Sequence, residues 1–293
     1  MSVLRRVQVV NANEELLDTP EESLLVTTYP REKQIAEGLY PGANVLQVMG
    51  YLPTVSSSRQ QVWPVGGRIS LPTTSVPGTG VACSVVSSSE QDKHPDNGGG
   101  TGLHSLKVTY LDDAGDQQIA TVKMNGITPV ALPFTLTRVN RLTAGEIGTT
   151  FGNTVGNITL YNTATPTTIY GYMLAGRNIS QHGFWTVPNG KSAFIEGWTC
   201  AVSNEMYGYV EFNLSVTFDP IDRLSTPGLF VARDIFPVLA GTSPSPRAFH
   251  PTPLFVPEHT DIRMAVQGVA LRPGTTVQTA AYVTMHGFYE DKE

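Results

Sequence analysis

Alternation of apolar and polar positions dominates the chain beyond about residue 60. From Leu103 to Leu111 it places Leu106, Val108 and Tyr110 on one face of an extended segment. Asp112-Asp113-Ala114-Gly115-Asp116 then supplies a turn, and residues 117–124 return toward the hairpin signal Asn125-Gly126. The pattern predicts an antiparallel hairpin. Ala82–Ser87, Pro129–Val139, Asn157–Asn162, Thr167–Leu174, Phe184–Val187 and Ser192–Val202 read as further strands. So do Tyr207–Phe218, Leu254–Val256, Asp261–Leu271 and Thr276–Tyr289. In Tyr207–Phe218 the residues Val210, Phe212, Leu214 and Val216 alternate with polar neighbours, as on a strand covering a core with one face. Ten or more strands with no helix beyond about four turns predict an all-β antiparallel sandwich with jelly-roll or Greek-key connections.

The first 48 residues follow a different pattern. They hold eleven charged residues, including Glu14, Glu15, Asp18, Glu21 and Glu22, set around Leu16, Leu17, Leu24 and Leu25. Helical stretches here are short: residues 13–17 are stopped by Pro20, and residues 31–37 end at Gly38. Neither reaches the roughly 12 residues that an isolated helix needs, so both must lie on their own sheet or on a neighbour. The reading is an arm over 1–48, a first sandwich unit over 49–165 and a second over 166–293, the last two either separate or one continuous sandwich. Leu16, Leu17, Leu24, Leu25 and Tyr29 are the expected partner-binding residues of the arm.

Composition supports the β reading: Gly 28 and Pro 21 in 293 residues punctuate many short elements, and only 15% of residues are charged. A net charge of -6 and a pI near 5.5 argue against nucleic acid as a direct partner. No apolar run approaches a membrane span, and Met1–Arg6 lacks the apolar core of a signal peptide, so the chain reads as soluble. Cys83 and Cys200 lie in separate apolar runs and are expected to be buried thiols, forming neither a disulfide framework nor a zinc site.

Four patterns invite a chemical reading. Gly190-Lys191-Ser192 ends like a phosphate-binding loop, but Trp185 stands where that motif needs glycine, and strands flank it instead of a strand and a helix. His94, Asp96 and His104, with Asp92 and Asn97, offer cation ligands on a glycine-rich loop, at a spacing that fits no established site. Asp112, Asp113 and Asp116 offer carboxylates for glycoside cleavage, yet they sit where a hairpin turns. Trp63, Trp185 and Trp198, with Tyr170, Tyr172, Tyr207 and Tyr209, suit either a sugar-stacking face or a packed core, and the core reading is preferred. No nucleophile elbow, His-Glu-x-x-His or Cys-x-x-Cys occurs, so neither an enzyme nor a cofactor is expected.

Several blocks taken together resemble a family of tailed-bacteriophage virion proteins. They are the serine-rich strand 85–89, the loop closed by Gly100-Thr101-Gly102, the 106–112 strand and its Asp-x-x-Gly turn. Asn125-Gly126-Ile127-Thr128-Pro129-Val130, Arg138-Val139-Asn140-Arg141, Gly156–Thr159, Trp185–Lys191 and Pro257–Arg263 complete the set. The resemblance spans roughly residues 60–289 and leaves the arm uncovered. It implies a structural component of the virion that self-associates, with a homotrimer expected, and docks on the major capsid protein or other virion proteins. It supplies no catalytic residues. Capsid decoration or cement is the first placement, and a collar, baseplate or tail accessory is the second. A carbohydrate-binding host-attachment module is the rival from another class.

Overall fold

A computed structural model describes residues 31–149, 152–203, 208–219, 224–225, 230–239, 247–270 and 279–292. A short helix, α1 (Arg31–Ala36), precedes β1 (Asn44–Leu52) and the two-residue β2 (Gln60–Gln61). Seven strands follow: β3 (Val81–Ser87), β4 (Ser105–Leu111), β5 (Gln117–Lys123), β6 (Val130–Leu136), β7 (Arg138–Ala144), β8 (Ile158–Asn162) and β9 (Ile169–Met173). Next come β10 (Phe184–Thr186), β11 (Lys191–Val202), β12 (Gly208–Val216), β13 (Phe218–Asp219) and β14 (Leu224–Ser225). The last are β15 (Val231–Leu239), β16 (Arg247–Val256), β17 (Asp261–Ala270) and β18 (Ala281–Asp291).

The expected all-β sandwich is the observed fold. Setting aside β2 to β9 and the minor pair β13–β14, the remaining strands nest as one long hairpin. β1 pairs with β18, β10 with β17, β11 with β16 and β12 with β15, all antiparallel. Rolling that hairpin up joins β18 to β11 and β17 to β12. The result is two sheets of order β1-β18-β11-β16 and β10-β17-β12-β15, with β2 added beside β17. This is a jelly roll, and rolling explains why chain neighbours end in opposite sheets. Leu46, Val48, Trp198, Val256 and Met285 from one sheet meet Trp185, Phe212, Leu214, Val238, Met264 and Val266 from the other in a single core. Val210, Phe212, Leu214 and Val216 are buried as their alternation predicts.

Strands β3 to β9 form a second sandwich inserted between β1 and β10. Its sheets run β6-β3-β8-β9 and β5-β4-β7. The predicted hairpin is β4–β5, in register from Ser105↔Lys123 to Leu111↔Gln117. Leu106, Val108 and Tyr110 turn inward against Val85, Leu136 and Leu160, and the rings of Tyr110 and Phe134 stack at 4.2 Å.

The pairing departs from the expected boundaries in three places. β9 pairs with β8, so residues beyond 165 belong to the inserted sandwich, whereas β1 belongs with the C-terminal strands. β1 starts at Asn44, inside the stretch read as arm; Leu46 and Val48 are buried while Val45 and Gln47 are not, so Met49 lies mid-strand. Its partner begins pairing at Tyr289, too distant in sequence for local patterning to reveal. Finally, α1 packs on β1 and β18 and buries Ile35, so this part of the arm lies on its own subunit.

Candidate docking surface

The residues with apparent chemical promise are mostly occupied in building the fold. Asp92 is fully buried, and its carboxylate organises the glycine-rich loop. Oδ1 accepts the backbone N–H groups of Leu103 (2.7 Å) and Val155 (2.9 Å), and Oδ2 accepts Gly156 N–H (2.7 Å) and the Ser87 hydroxyl (2.6 Å). A Cβ on Gly102 would stand 2.2 Å from Oδ1, which is why the Gly-Thr-Gly block ends in glycine. His94 Nδ1 accepts the N–H of Asp96, Asp96 pairs with Lys123, and His104 Nε2 lies 2.8 Å from Gly100 O. The Lys123 ammonium holds the exposed Asp96 carboxyl below its ordinary pKa. Among the described residues no group of three or more His, Cys, Asp or Glu is arranged to hold a metal.

Asp112 caps its own turn through Ala114 and Asp116 N–H (both 3.0 Å), Asp113 accepts from Gly80 N–H and Thr135, and Asp116 accepts from Asn189. Gly190 has a positive φ of 66° and joins β10 to β11 with no helix behind it. Its N–H donates to Glu258, while Lys191 pairs with Asp291. Trp63, Trp185 and Trp198 are all buried, the first donating its indole N–H to Gly66 O and the third to Asp234. They therefore pack mainly inside, with Trp185 alone of the three also reaching the floor of an open cleft. Cys83 and Cys200 are buried free thiols; burial pushes the Cys83 pKa up to about 12 and raises that of Cys200 as well.

The two sandwich units meet at a polar joint. Arg138, at the start of β7, is 1% exposed and forms a two-pronged ion pair with Asp261, at the start of β17 (2.8 and 3.0 Å). Arg138 Nη1 also donates to the carbonyls of Thr73 and Thr137, and the Thr186 hydroxyl donates to Asp261 (2.7 Å). Asn140 and Thr186 exchange two hydrogen bonds of 2.9 Å.

His182 lies beside this joint and is buried. The Tyr172 N–H donates to its Nε2 (2.8 Å), and its Nδ1 has no hydrogen-bond partner among the described residues. Burial lowers its pKa from the ordinary 6.5 to about 4, outweighing the neighbouring carbonyl of Tyr172. The folded state therefore holds this ring neutral, while the unfolded chain takes up a proton below pH 6.5. Stability is unaffected above that pH and falls as pH drops toward 4, by about 3 kcal/mol in all at roughly 1.4 kcal/mol per pKa unit. Urea midpoints of the parent protein and of His182→Gln between pH 7 and 4 check this: the variant should show the smaller acid loss, and parallel curves would refute the assignment.

Next to this joint, with Asn140 belonging to both, the units leave an open cleft of about 160 Å³. Ile119, Thr109 and Arg141 form one cross-strand rung on β5, β4 and β7 and supply one wall. Val45, Leu46 and Tyr289 supply the other, with Trp185 at the base against the Tyr289 ring (centroids 5.3 Å apart). The rims are apolar yet exposed, Val45 at 52% and Ile119 at 67%. Among the described residues Arg141 is the single charged one lining the cleft, and it donates one bond to Gln47 O (2.6 Å). Further exposed apolar side chains, Ile235, Phe249 and Phe255, lie on β15 and β16, which end their sheets among the described residues. The arm residues Leu16, Leu17, Leu24, Leu25 and Tyr29 lie outside the described residues. Sequence reasoning missed Val45, Ile119 and Arg141, because what unites them is a register of strands from two units; the only local signal was an apolar residue at an outward strand position.

No protein-family model and no curated protein matches the sequence. Among solved structures, that of infectious bursal disease virus Gx strain aligns at 11% identity over 86% of this chain and 76% of that one, with a TM-score of 0.23. The Gt strain structure aligns at 11% identity over 90% and 83%, with a TM-score of 0.20. The VP2 subviral particle of the same virus gives 11%, 85% and 75%, with a TM-score of 0.20. TM-scores of this size do not establish a shared fold.

Proposed function

We propose that the protein is a non-enzymatic structural component of a bacteriophage virion, placed on the capsid as a decoration or cement protein and acting as a homotrimer. The observation that carries the reading is the strand order β1-β18-β11-β16 over β10-β17-β12-β15, a jelly roll of the kind that viral capsid and lectin domains use. Fold alone does not give function, so the sequence resemblance supplies the second support. Its blocks fall on structural nodes: Gly102 and Gly156 around Asp92, and Arg138 against Asp261. Residues so occupied hold a shape, and a protein whose work is shape acts through surface burial. The outward side chains Val45, Ile119, Ile235, Phe249 and Phe255 offer apolar area for that purpose.

Residues 1–30, with their leucine pairs and Tyr29, are the proposed docking element. Since β1 begins at Asn44 and α1 packs on it, the informative truncation removes 1–30 and keeps the rest. The truncated protein should keep its β-sheet spectrum and sediment as a monomer at concentrations where the full chain is a trimer. A truncated protein that still trimerises would remove the arm from the contact. Imaging of intact particles carrying labelled protein decides the location, with signal on the capsid shell expected; label at the collar, baseplate or tail would move the assignment there.

A further inference from the structure

Resting on the self-association reading above, we propose that the cleft between the two sandwich units receives the acidic, leucine-bearing segment 14–25 of a second copy of the chain. Three observations converge on it. The cleft is bordered by exposed Val45 and Ile119, is also lined by the polar Thr109, Gln117 and Asn140, and has room for a large aliphatic side chain, whereas the segment carries the pairs Leu16-Leu17 and Leu24-Leu25. Burial of apolar side chains on both partners is the main favourable term in such a contact.

Charge is also complementary. Arg141 is the only charged residue of the lining among the described residues, and its guanidinium has donors beyond the one spent on Gln47 O. The segment brings Glu14, Glu15, Asp18, Glu21 and Glu22, and no Lys, Arg or His occurs anywhere from Val7 to Pro30. Each leucine pair follows a pair of glutamates, so an aliphatic group and a carboxylate arrive together, as the neighbouring Ile119, Thr109 and Arg141 require.

The third observation is where the arm leaves the described fold. α1 packs on β1 and β18, the strands that contribute Val45, Leu46 and Tyr289 to the cleft. Thirteen residues lie between Leu17 and Arg31, and the fourteen steps, extended at about 3.3–3.6 Å each, give a reach of up to about 50 Å. One copy giving its segment and receiving another's is a head-to-tail contact, which closes into a ring when the rotation between copies permits.

The test uses the full-length chain. A photo-crosslinking amino acid at position 119 in isotopically heavy protein, mixed with light protein, should capture light peptides from residues 14–25. Ile119→Asp and Arg141→Glu should each weaken association about tenfold or more in sedimentation equilibrium, with thermal melts confirming that each variant is folded. Replacing Glu14, Glu15, Glu21 and Glu22 by lysine should restore association to the Arg141→Glu protein. Capture only within one copy, or association unchanged in both cleft variants, overturns the cleft assignment while leaving self-association intact. A parent chain that stays monomeric at every concentration instead overturns the self-association reading itself.

Discussion

Replacing Asp261 by alanine is expected to destabilise the protein by about 3–5 kcal/mol, the usual cost of leaving one member of a buried ion pair alone. The Arg138 guanidinium, 1% exposed, would lose both of its carboxylate bonds, and the Thr186 hydroxyl would lose its acceptor. Arg138 would keep its bonds to the carbonyls of Thr73 and Thr137, but these do not neutralise it. Against a typical total stability of about 5–15 kcal/mol, the loss is large enough to lower the unfolding midpoint well below that of the parent. The double variant Arg138→Met with Asp261→Leu should cost less than either single change, since it removes both charges from a site that disfavours each alone. Guanidinium unfolding of the parent, Arg138→Met, Asp261→Leu and the double variant measures the coupling; additive losses would show that the two side chains do not act as a pair.

The second large effect is expected at Asp92. Asp92→Ala removes the acceptor for three backbone N–H groups and one hydroxyl at a fully buried position beneath a largely exposed loop. Hydrogen bonds to a charged group contribute about 1.5–3 kcal/mol each, and water entering the vacated space recovers part of that, so a net loss of about 3–5 kcal/mol is expected. Hydrogen exchange gives the specific signature. The amides of Leu103, Val155 and Gly156 should lose protection in the variant, while amides in the jelly-roll strands β11 and β18 keep theirs. Unchanged exchange at the three amides would refute the role of the carboxylate. Asp92→Asn should be intermediate, because the amide keeps one acceptor oxygen but turns an NH₂ group toward donors.

The β4–β5 hairpin was legible because everything that specifies it is local. Its alternation spans seven residues per strand, and the Asp112 side chain closes the turn within four residues. The turn at Gly190-Lys191-Ser192 is legible for the same reason: a helix-borne phosphate site needs a glycine at position 185 and a following helix, and both absences are visible within a few residues. Asp92 was read as one polar member of a loop, because the donors that surround it come from residues 87, 103, 155 and 156. Val45 looked like part of an arm, since the strand that pairs β1 lies at the other end of the chain.

By itself, then, the sequence determined that the chain is all-β, where its turns fall, and which strand faces are apolar. Those properties follow from backbone sterics and from alternation within a few residues. Only the tertiary structure decided that β3 to β9 form a sandwich inserted into a jelly roll, and that Arg138 and Asp261 meet at the joint between them. It also decided that Ile119, Thr109 and Arg141 face Val45 across a cleft. These are matters of pairing and register between segments as many as 245 residues apart, as for Asn44 and Tyr289. Period-two alternation tells each strand which side to bury but carries no label for its partner, so the partner is chosen by how the whole set of apolar faces can close on one another.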